Sequence, residues 1–443
     1  MAHRIAANTG SRTGAGGQAQ TAADSLENGW GHATMEPSRR PAVPQENAAA
    51  WVGERAEWGW RVVDQADVVI VGAGMVGLCT AFELASMGVR RVTVLERGWA
   101  GSGSTSKATG GIRTQFSTLV NVRLAQVSRE RFVHWSEIYG GDPRFSPIGY
   151  LFVTASDAMA DLLVDGARRQ RAWGVGVEIL TPREIARWSP ALRVDDVRVG
   201  TYTPEDGIAD PGAAVNSLAA SCRRRGVVLR EGETVTRLAF DGEGAATGVE
   251  LATGRGLRAD AVVIAAGVWS APLLEPIGFP LPVEPHHRQV YRTGAVPDWP
   301  SGVPLTVDLD TGLYCHGDGS AVVFGGGDRE SAPTYDETPR PGDVSLLVER
   351  LVHRWPALDQ AELRQTWAGL REMTPDDHGV VGPVPGHAGL YVAAGFSGHG
   401  FMQAPAVGEL VATMVCGQPT PLDATALDPG RFSGPLEGER YVF

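Results

Sequence analysis

Residues 66–97 read ADVVIVGAGMVGLCTAFELASMGVRRVTVLER, and this stretch decides the fold of the chain. An apolar run meets the spaced glycines Gly72, Gly74 and Gly77, an amphipathic segment follows, and a second apolar run ends on Glu96. This order is typical of a strand, a tight turn, a helix and a second strand that bind a dinucleotide. Gly72 allows the tight turn, Gly74 the close approach of a pyrophosphate, and Gly77 the close packing of helix on strand. The helix N-terminus offers N–H groups to the phosphates. We expect the Glu96 carboxylate to accept hydrogen bonds from ribose hydroxyls and to repel a 2′-phosphate.

The composition excludes several classes of protein. The 443 residues exceed the usual size of a single core, so we expect two domains. The net charge of −12 argues against a nucleic-acid-binding surface, because phosphate recognition needs a basic face. No run of about twenty apolar residues occurs, so we expect no membrane span.

The cysteines and histidines indicate neither a disulfide framework nor a metal site. The four cysteines are scattered and form no CxxC pair, which is typical of the reducing cytoplasm. The ten histidines lack the spacing of metal ligands, apart from the adjacent His286 and His287, and no acidic cluster accompanies that pair. We therefore predict a cytoplasmic protein without a metal centre.

Strand and helix patterns alternate beyond the first unit. Helices are predicted at 120–139, 157–173 and 342–354, and a short helix at 181–190 begins with a threonine cap and a proline in its first turn. Residues 389–415 read again as strand, glycine loop and helix. The alternation predicts a nucleotide-binding domain assembled from separated pieces, with a second domain inserted between them.

Two further glycine turns bear on which dinucleotide is bound. NAD and FAD use the same opening turn, so the first motif does not separate them. Residues 265–269 (AAGVW) follow a buried strand, and residues 395–400 (GFSGHG) open the last helix. A glycine loop with a helix N-terminus suits a second acceptor-rich group, such as the edge of a flavin ring.

These three elements in this order resemble the D-amino-acid-oxidase-like FAD-dependent oxidoreductases. Within them, the sarcosine oxidase, dimethylglycine dehydrogenase and dye-linked proline dehydrogenase beta-subunit branch is the most similar. The resemblance covers about residues 66–418, and its most specific pieces are GSTSKATGGIRTQF (103–116), TPEDG (203–207) and EMTPDDHGVVGPVPG (372–386). It implies a mixed α/β fold, with a Rossmann-type FAD-binding domain and an inserted antiparallel-sheet substrate domain.

Domain boundaries and cofactor contacts follow from the resemblance. The predicted pieces are a disordered extension at 1–60, an FAD-binding domain at 66–150, 196–275 and 365–420, and a substrate domain at 151–195 and 276–364. The residues assigned to the cofactor are Gly72, Gly74, Met75, Val76, Gly77, Glu96, Arg97, Ser104, Thr105, Gly110, Gly111, Val235, Ala266, Gly267, Trp269, Gly395, Ser397, Gly398, Gly400 and Met402.

The resemblance also implies that FAD is held non-covalently. The cysteine that tethers flavin in monomeric sarcosine oxidases falls at Gly369, and the histidine of dimethylglycine dehydrogenases falls near Lys107. Heterotetrameric relatives tether a second flavin, FMN, through a histidine similar to His286, but this needs partner subunits, so FMN is not expected.

Three residues are assigned to the reaction by the resemblance. Arg113, in the Ile-Arg-x-x-aromatic pattern, is expected to hold a substrate carboxylate, since a guanidinium grips a carboxylate through two hydrogen bonds. The alternative is that the Arg113 guanidinium binds a flavin phosphate or a structural carboxylate of the protein. Tyr314 is expected to line the substrate pocket, and the alternative is a buried core tyrosine. His399 is expected to contact the flavin ring or the substrate amine, and the alternative is that it only packs within the loop. Where sarcosine oxidases have a second clamping lysine, this chain has Met402, which leaves an amine without a carboxylate possible.

The electron acceptor is left open between oxygen, a quinone and an electron-transfer protein. The family's oxidases activate oxygen with a lysine, yet the matching residues 321–327 contain none, and the single lysine of the chain is Lys107. A cation stabilises superoxide-like charge, so its absence predicts slow reaction with oxygen and favours a dehydrogenase.

The predicted reaction is oxidation of a C–N bond in an amine or an N-methyl or cyclic amino acid, with hydride transfer to flavin N5 giving an imine. A 2-hydroxy-acid dehydrogenase is an alternative, which needs a histidine base such as His399 or His287. A second alternative is the FAD-binding subunit of a multi-subunit amino-acid dehydrogenase. A flavin monooxygenase is disfavoured, because the last loop lacks the Gly-Asp-Ala-Ala stretch of that class.

Overall fold

The computed structural model describes residues 61–326 and 331–441. The predicted disordered extension at 1–60 lies outside these residues. The strands are β1 Arg61–Val71, β2 Val92–Glu96, β3 Gly111–Ile112, β4 Tyr150–Thr154, β5 Glu178–Leu180, β6 Val199–Thr203, β7 Gly207–Ile208, β8 Val228–Glu231, β9 Val235–Phe240, β10 Ala246–Leu251, β11 Arg255–Ile264, β12 Glu284–Thr293, β13 Leu305–Asp308, β14 Leu313–Asp318, β15 Ala321–Gly326, β16 Leu363–Met373, β17 Val380–Pro383 and β18 Leu390–Ala394. The helices are α1 Met75–Ser86, α2 Leu119–Val133, α3 Trp135–Ile138, α4 Asp157–Ala172, α5 Pro182–Trp188, α6 Pro211–Arg224, α7 Ser270–Leu274, α8 Val348–Arg354 and α9 Gly400–Val415.

The first sheet is built around β1, whose apolar run is buried on both faces. Its order is β17-β18-β11-β1-β2-β8, and β10 and β9 extend from β11 as a meander. The pairs β1–β2, β1–β11, β2–β8 and β11–β18 are parallel, while β17–β18, β10–β11 and β9–β10 are antiparallel. Buried residues of α1, α2, α6 and α9 form a core cluster with Val68 and Ile70 on one face of this sheet. Val69 and Val71 pack in a second cluster with residues of β9 and β10, so both faces of β1 are covered.

The second sheet has the order β16-β12-β15-β14-β13-β4-β6-β5. Its neighbours are antiparallel, except for the parallel pair β4–β13. Side chains alternate across it, so that on β12 the Tyr291 ring packs in a core cluster with Phe324, while Val290 faces a cavity. The predicted α/β fold, with a Rossmann-type unit and a second, mainly antiparallel sheet, is confirmed.

The predicted domain boundaries, which stay a prediction, do not follow the division of the strands between the two sheets. Residues 199–203 and 363–373, which those boundaries assign largely to the FAD-binding domain, pair within the second sheet as β6 and β16. Sequence pattern identifies such strands but does not show which partner each one finds.

Two predicted helices differ in detail from the structure. The segment 120–139 divides into α2 and α3, because His134 leaves helical dihedral angles at φ −98° and ψ 25°. The segment 342–354 begins as a 3₁₀ turn, Pro341–Leu346, before α8. The predicted threonine cap is confirmed: Thr181 is the N-cap residue of α5, Pro182 follows in the first turn, and Glu184 completes a capping box with Thr181.

Among the described residues, no helix combines the length and apolarity that crossing a membrane requires.

Candidate active site

A cavity of about 500 Å³ is lined by residues of both sheets. One end is formed by the turn after β1, the end of β2 and the turn after β11, and the other by side chains of β4, β12, β14 and β16. We call these the nucleotide end and the substrate end. Residues 396–400 of the glycine loop 395–400 also line the cavity.

The nucleotide end is shaped by glycines that leave room for a ligand. Gly72 has φ +107°, and a Cβ there would collide with the carbonyl oxygen of Ala265. A Cβ on Gly77 would collide with the carbonyl oxygen of Gly72, so Gly77 allows the helix to pack on the strand, as predicted for this turn. Helix α1 begins after Gly74, which has no side chain to cap the first turn, and Gly74, Met75 and Val76 line the cavity. The N–H of Met75 donates to Oγ1 of Thr105 at 3.2 Å.

The carboxylate of Glu96 is fixed at the tip of β2. Its two oxygens accept the N–H groups of Ala73 at 2.9 Å and Gly98 at 2.8 Å. Nearby, the guanidinium of Arg97 lies 3.6 Å from the ring centroid of Trp269. A pre-oriented carboxylate beside a glycine turn and a helix N-terminus fits the ribose and pyrophosphate of a dinucleotide.

The substrate end is built from cationic and phenolic side chains. Arg288 of β12 pairs in register with Gly369 of β16, and strand alternation places Arg371 on that same face. Both arginines line the cavity together with Tyr150 and Tyr314. Burial raises the pKa of both phenols, against the opposing effect of Arg371, so both remain protonated donors at neutral pH.

Arg113 lies in the cavity wall, but it is only 1% exposed. Its guanidinium donates to the carbonyl oxygens of Gln115 and Tyr441 and, at 3.1 Å, to Nε2 of His399. It also lies 4.0 Å from the ring centroid of Phe116. Arg113 therefore ties the chain near residue 441 to the loop that precedes α9.

His399 is held as a neutral imidazole. Burial lowers its pKa well below the usual value, and the positive charges of Arg113 and Arg371 lower it further. Because the arginine can only donate, Nε2 of His399 is the acceptor and its proton is on Nδ1. The lone pair that a catalytic base would use is thus already engaged.

The glycine loop has an unusual backbone. Gly395 has φ +76°, and the non-glycine Ser397 has φ +49°, where its Oγ accepts the N–H of Thr374 at 3.1 Å. A non-glycine residue in this region stores strain that the surrounding structure must offset, as often occurs at ligand-binding turns. A Cβ on Gly398 would lie 2.8 Å from Nε of Arg371, so the loop packs against the substrate end.

All of the sequence-predicted site residues except Gly77 and Gly395 line the cavity. The N–H of Gly395 is turned towards the carboxylate of Glu372. His286 is not among the cavity-lining residues, and its Nδ1 lies 3.4 Å from Oγ of Ser331. The contacts of these residues with a ligand stay predictions.

Sequence reasoning missed Tyr150, Arg288, Arg371 and Glu372. For Arg371 a signal existed, because Gly369 was already placed at the flavin and alternation along a strand puts residue 371 on the same face. For Tyr150 no local signal was present, since its strand reads as core.

Lys107 lies in the cavity wall, within the loop 102–111 that supplies several other wall residues. Its ammonium forms an ion pair with Glu337, and its side chain packs against Gly369. The two positions at which relatives were expected to tether flavin therefore face each other. No group of three or more potential metal ligands occurs among the described residues.

Comparisons with known proteins agree with this geometry. A family model described as FAD dependent oxidoreductase matches residues 67–414. FAD-dependent oxidoreductase domain-containing protein 1 of Bos taurus is 33% identical over 402 residues, which cover 80% of this chain and 81% of that protein. Glycine oxidase of Geobacillus kaustophilus (strain HTA426) is 32% identical over 380 residues, covering 83% of this chain and 97% of that enzyme. The crystal structure of L-proline dehydrogenase from P. horikoshii superimposes with a TM-score of 0.78 at 32% identity, covering 84% of this chain and 98% of that one.

Proposed function

The chain belongs to the FAD-dependent oxidoreductase family whose model matches residues 67–414, and on this premise we propose that it oxidises the C–N bond of a carboxylate-bearing amine. The predicted family and the predicted FAD cofactor are confirmed. The substrate class that we favour is an N-methyl or cyclic amino acid, and the product is an imine that water hydrolyses.

The observation that carries the proposal is the donor set at the substrate end. Arg371 presents a planar guanidinium to the cavity beside the protonated phenols of Tyr150 and Tyr314. This combination suits a carboxylate, because the guanidinium offers two parallel hydrogen bonds and each phenol offers one more. A substrate held in this way presents one fixed C–H bond, which contributes to catalysis through orientation.

The role of Arg113 in holding the substrate carboxylate stays a prediction. We propose that Arg113 mainly fixes the loop and that it shares the carboxylate with Arg371. The hydrogen bonds of Arg113 to two backbone carbonyl oxygens and to His399 support a role in fixing the loop. Arg371, which lies against that loop at Gly398, is then the main contact for the carboxylate. Comparing substitutions of the two arginines separates these roles.

The amine is proposed to react in its neutral form. FAD supplies an acceptor for the two electrons and the hydrogen that leave the substrate carbon as a hydride equivalent. The cationic side chains at the substrate end disfavour a protonated amine beside them, so the nitrogen lone pair is available to form the C=N bond. The chain's own part is then to bind, orient and exclude water rather than to remove a proton.

Oxidation of a 2-hydroxy acid is less well supported. That reaction needs a base for the hydroxyl proton, and His399 is the histidine among the cavity-lining residues of the described chain. Its Nε2 accepts a hydrogen bond from Arg113, so it is poorly placed to act as a base. His287, the other candidate, is not part of the cavity wall, and its Nε2 lies 3.0 Å from the carbonyl oxygen of Thr338.

We propose that electrons leave to an acceptor other than oxygen. The ion pair with Glu337 balances the charge of Lys107, which weakens its ability to stabilise superoxide-like charge. An oxygen electrode together with a quinone-dye assay on the reduced protein tests this: rapid oxygen uptake would contradict it. A role as the FAD-binding subunit of a larger dehydrogenase is tested by whether the isolated chain is reduced by any amine.

The experiment for the reaction itself is anaerobic bleaching of the flavin absorbance. The panel contains N-methyl amino acids, proline, simple amines and 2-hydroxy acids at equal concentrations. We expect bleaching by carboxylate-bearing amines, with imine hydrolysis products recovered in equal amount to the reduced flavin. Bleaching by hydroxy acids alone would overturn the proposal.

A further inference from the structure

The carboxyl group of Glu372 occupies an unusual position between two glycine turns. Its Oε2 accepts the N–H of Gly395 at 2.9 Å, and the N–H of Phe396 is a second donor to the carboxylate. A Cβ on Gly400, the first residue of α9, would lie 3.4 Å from Oε1, and a Cβ on Gly267 would lie 3.6 Å from Oε2. The carboxyl therefore fills the space where the turn after β11 approaches the start of α9.

This position faces the cavity and not only the protein interior. Glu372 of β16 lines the substrate end, Gly267 belongs to the turn after β11 at the nucleotide end, and Gly400 also lines the cavity, so the carboxyl lies where the two ends meet. A Cβ at either glycine would be in ordinary van der Waals contact with the carboxyl, so the two turns meet at this group. A ligand that spanned the two ends would pass it.

The charge of Glu372 is weakly balanced. No ion pair of Glu372 occurs among the described residues. Burial raises its pKa to about 7, against the opposing effect of the two N–H donors. The charged and titratable groups on the same strand and the loops are Arg371, which lies against Gly398, the neutral His399, and Arg97, which stacks on Trp269. Lys107, paired with Glu337, packs on the strand at Gly369, and the paired strand β12 contributes Glu284, His286, His287 and Arg288.

We propose that Glu372 takes up a proton when bound FAD is reduced, and that its proton state thereby sets the reduction potential of the flavin. An external reductant supplies the two electrons, and solvent supplies the proton that the carboxylate binds. A carboxylate that faced the ring system of bound FAD would oppose added electron density, whereas the neutral acid would not. The proposal rests on FAD binding and not on the identity of the substrate.

The sign of the effect follows from linkage. Below the pKa of Glu372 the acid is neutral in both redox states, so it does not alter the pH slope. As the pH rises through the pKa, the oxidised holoenzyme loses this proton, and reduction must bind it again. The potential of the wild-type protein therefore falls more steeply with pH in this window than that of a variant without the carboxyl group.

The test is a dithionite titration of the holoenzyme against reference dyes from pH 6 to pH 8.5. Glu372→Gln keeps the shape of the side chain and an acceptor for the N–H of Gly395. At pH 8.5 we expect it to favour the reduced flavin at least tenfold over wild type, which is ~30 mV for a two-electron couple. The two proteins converge at pH 6. Glu372→Asp restores the steeper slope.

A matched control is Glu409→Gln on the same helix as Gly400. Glu409 forms an ion pair with Arg131 and does not line the cavity. Nine residues separate it from Gly400, which is ~13 Å along a helix axis. We expect its potential and pH slope to equal those of wild type.

The proposal is overturned by a wild-type slope without the extra proton uptake, or by a Gln variant with the wild-type potential and slope. If Glu372→Gln does not retain FAD, the pH slope of the wild-type reduction potential still shows whether reduction takes up the extra proton. Because dithionite replaces the substrate, failure of this proposal leaves the proposed reaction untouched, and a failed substrate panel leaves this measurement possible.

Discussion

The two ends of the cavity bind by different means. At the nucleotide end, backbone N–H groups, glycine turns and one carboxylate, Glu96, define the site, mostly within residues 71–97 and otherwise in the turn after β11. At the substrate end, side chains from strands distant in sequence converge, and the cation of Arg371 stands beside the phenols of Tyr150 and Tyr314. The nucleotide end is therefore sensitive to backbone geometry, and the substrate end to charge and hydrogen-bonding groups.

This difference predicts which substitutions abolish the holoprotein and which change only the reaction. A change that fills space at the nucleotide end removes the cofactor and with it every activity. A change of charge at the substrate end leaves the flavin bound and alters the rate with one class of substrate.

The largest effect is expected for Gly72→Ala. Gly72 has φ +107°, and the new Cβ would collide with the carbonyl oxygen of Ala265. We expect loss of bound FAD, measured as the flavin absorbance per chain after purification. Gly88→Ala is the control, because Gly88 has φ +90° with nothing within 4 Å of its Cβ position. It should cost only ~1–2 kcal/mol of backbone strain and remain yellow; equal behaviour of the two variants would refute the steric account.

The next effect is expected for Arg371→Gln. Removing one partner of a buried charge pair costs roughly 2–5 kcal/mol, so kcat/KM for a carboxylate-bearing amine should fall about 30- to 5,000-fold. The flavin spectrum should be preserved.

Arg113→Gln should instead perturb the loop around His399, so that kcat/KM falls similarly for amines with and without a carboxylate. If kcat/KM fell specifically for carboxylate-bearing amines in Arg113→Gln but not in Arg371→Gln, Arg113 would be the main contact for the carboxylate.

A pH-dependent effect is expected at Asp206, which supports the substrate end through Thr114. Asp206 is fully buried and accepts the N–H and hydroxyl of Thr114, and burial raises its pKa to about 7. A raised acid pKa gives stability that is present below pH ~4 and is lost as the pH rises towards 7. Relative to Asp206→Asn, the wild-type free energy of unfolding should therefore fall, by on the order of a few kcal/mol, between pH 4 and pH 8.

Denaturant unfolding at several pH values measures this difference. Other titrating groups, such as His399, are the same in both proteins and cancel in the comparison. A pH-independent difference between wild type and Asp206→Asn would show that Asp206 ionises normally in the folded protein.

The smallest effect is expected far from both ends. Ser156 caps α4 by accepting the N–H of Met159 at 3.4 Å. Ser156→Ala should cost about 1 kcal/mol or less of unfolding free energy. FAD content and the rate of flavin reduction should be unchanged; a change in either would show that α4 is coupled to the cavity.

The sequence predicts the nucleotide end well because the information is contiguous. Residues 66–97 contain both strands, the helix, the glycines and the terminal acid, and each local preference agrees with the next. The sequence therefore predicts the roles of Gly72 in the tight turn and of Gly77 in the packing of helix on strand, and the geometry agrees with both.

The substrate end could be predicted only in part. Tyr314, Arg113 and His399 were placed by family resemblance, but Arg371 reaches the cavity through the pairing of β16 with β12, and Tyr150 through the pairing of β4 with β13. Such pairings depend on which strands meet across long separations of sequence. Their register sets which side chains face inwards, and a local pattern does not encode it.

The central claim is that the substrate end selects a carboxylate-bearing amine for oxidation at the flavin. The most direct measurement is anaerobic single-turnover reduction of wild type and Arg371→Gln by an N-methyl amino acid and by its carboxamide. The account predicts that wild type is reduced far faster by the acid than by the amide, and that Arg371→Gln reduces this preference to near unity. Equal rates for acid and amide in wild type, or an unchanged preference in the variant, would contradict it.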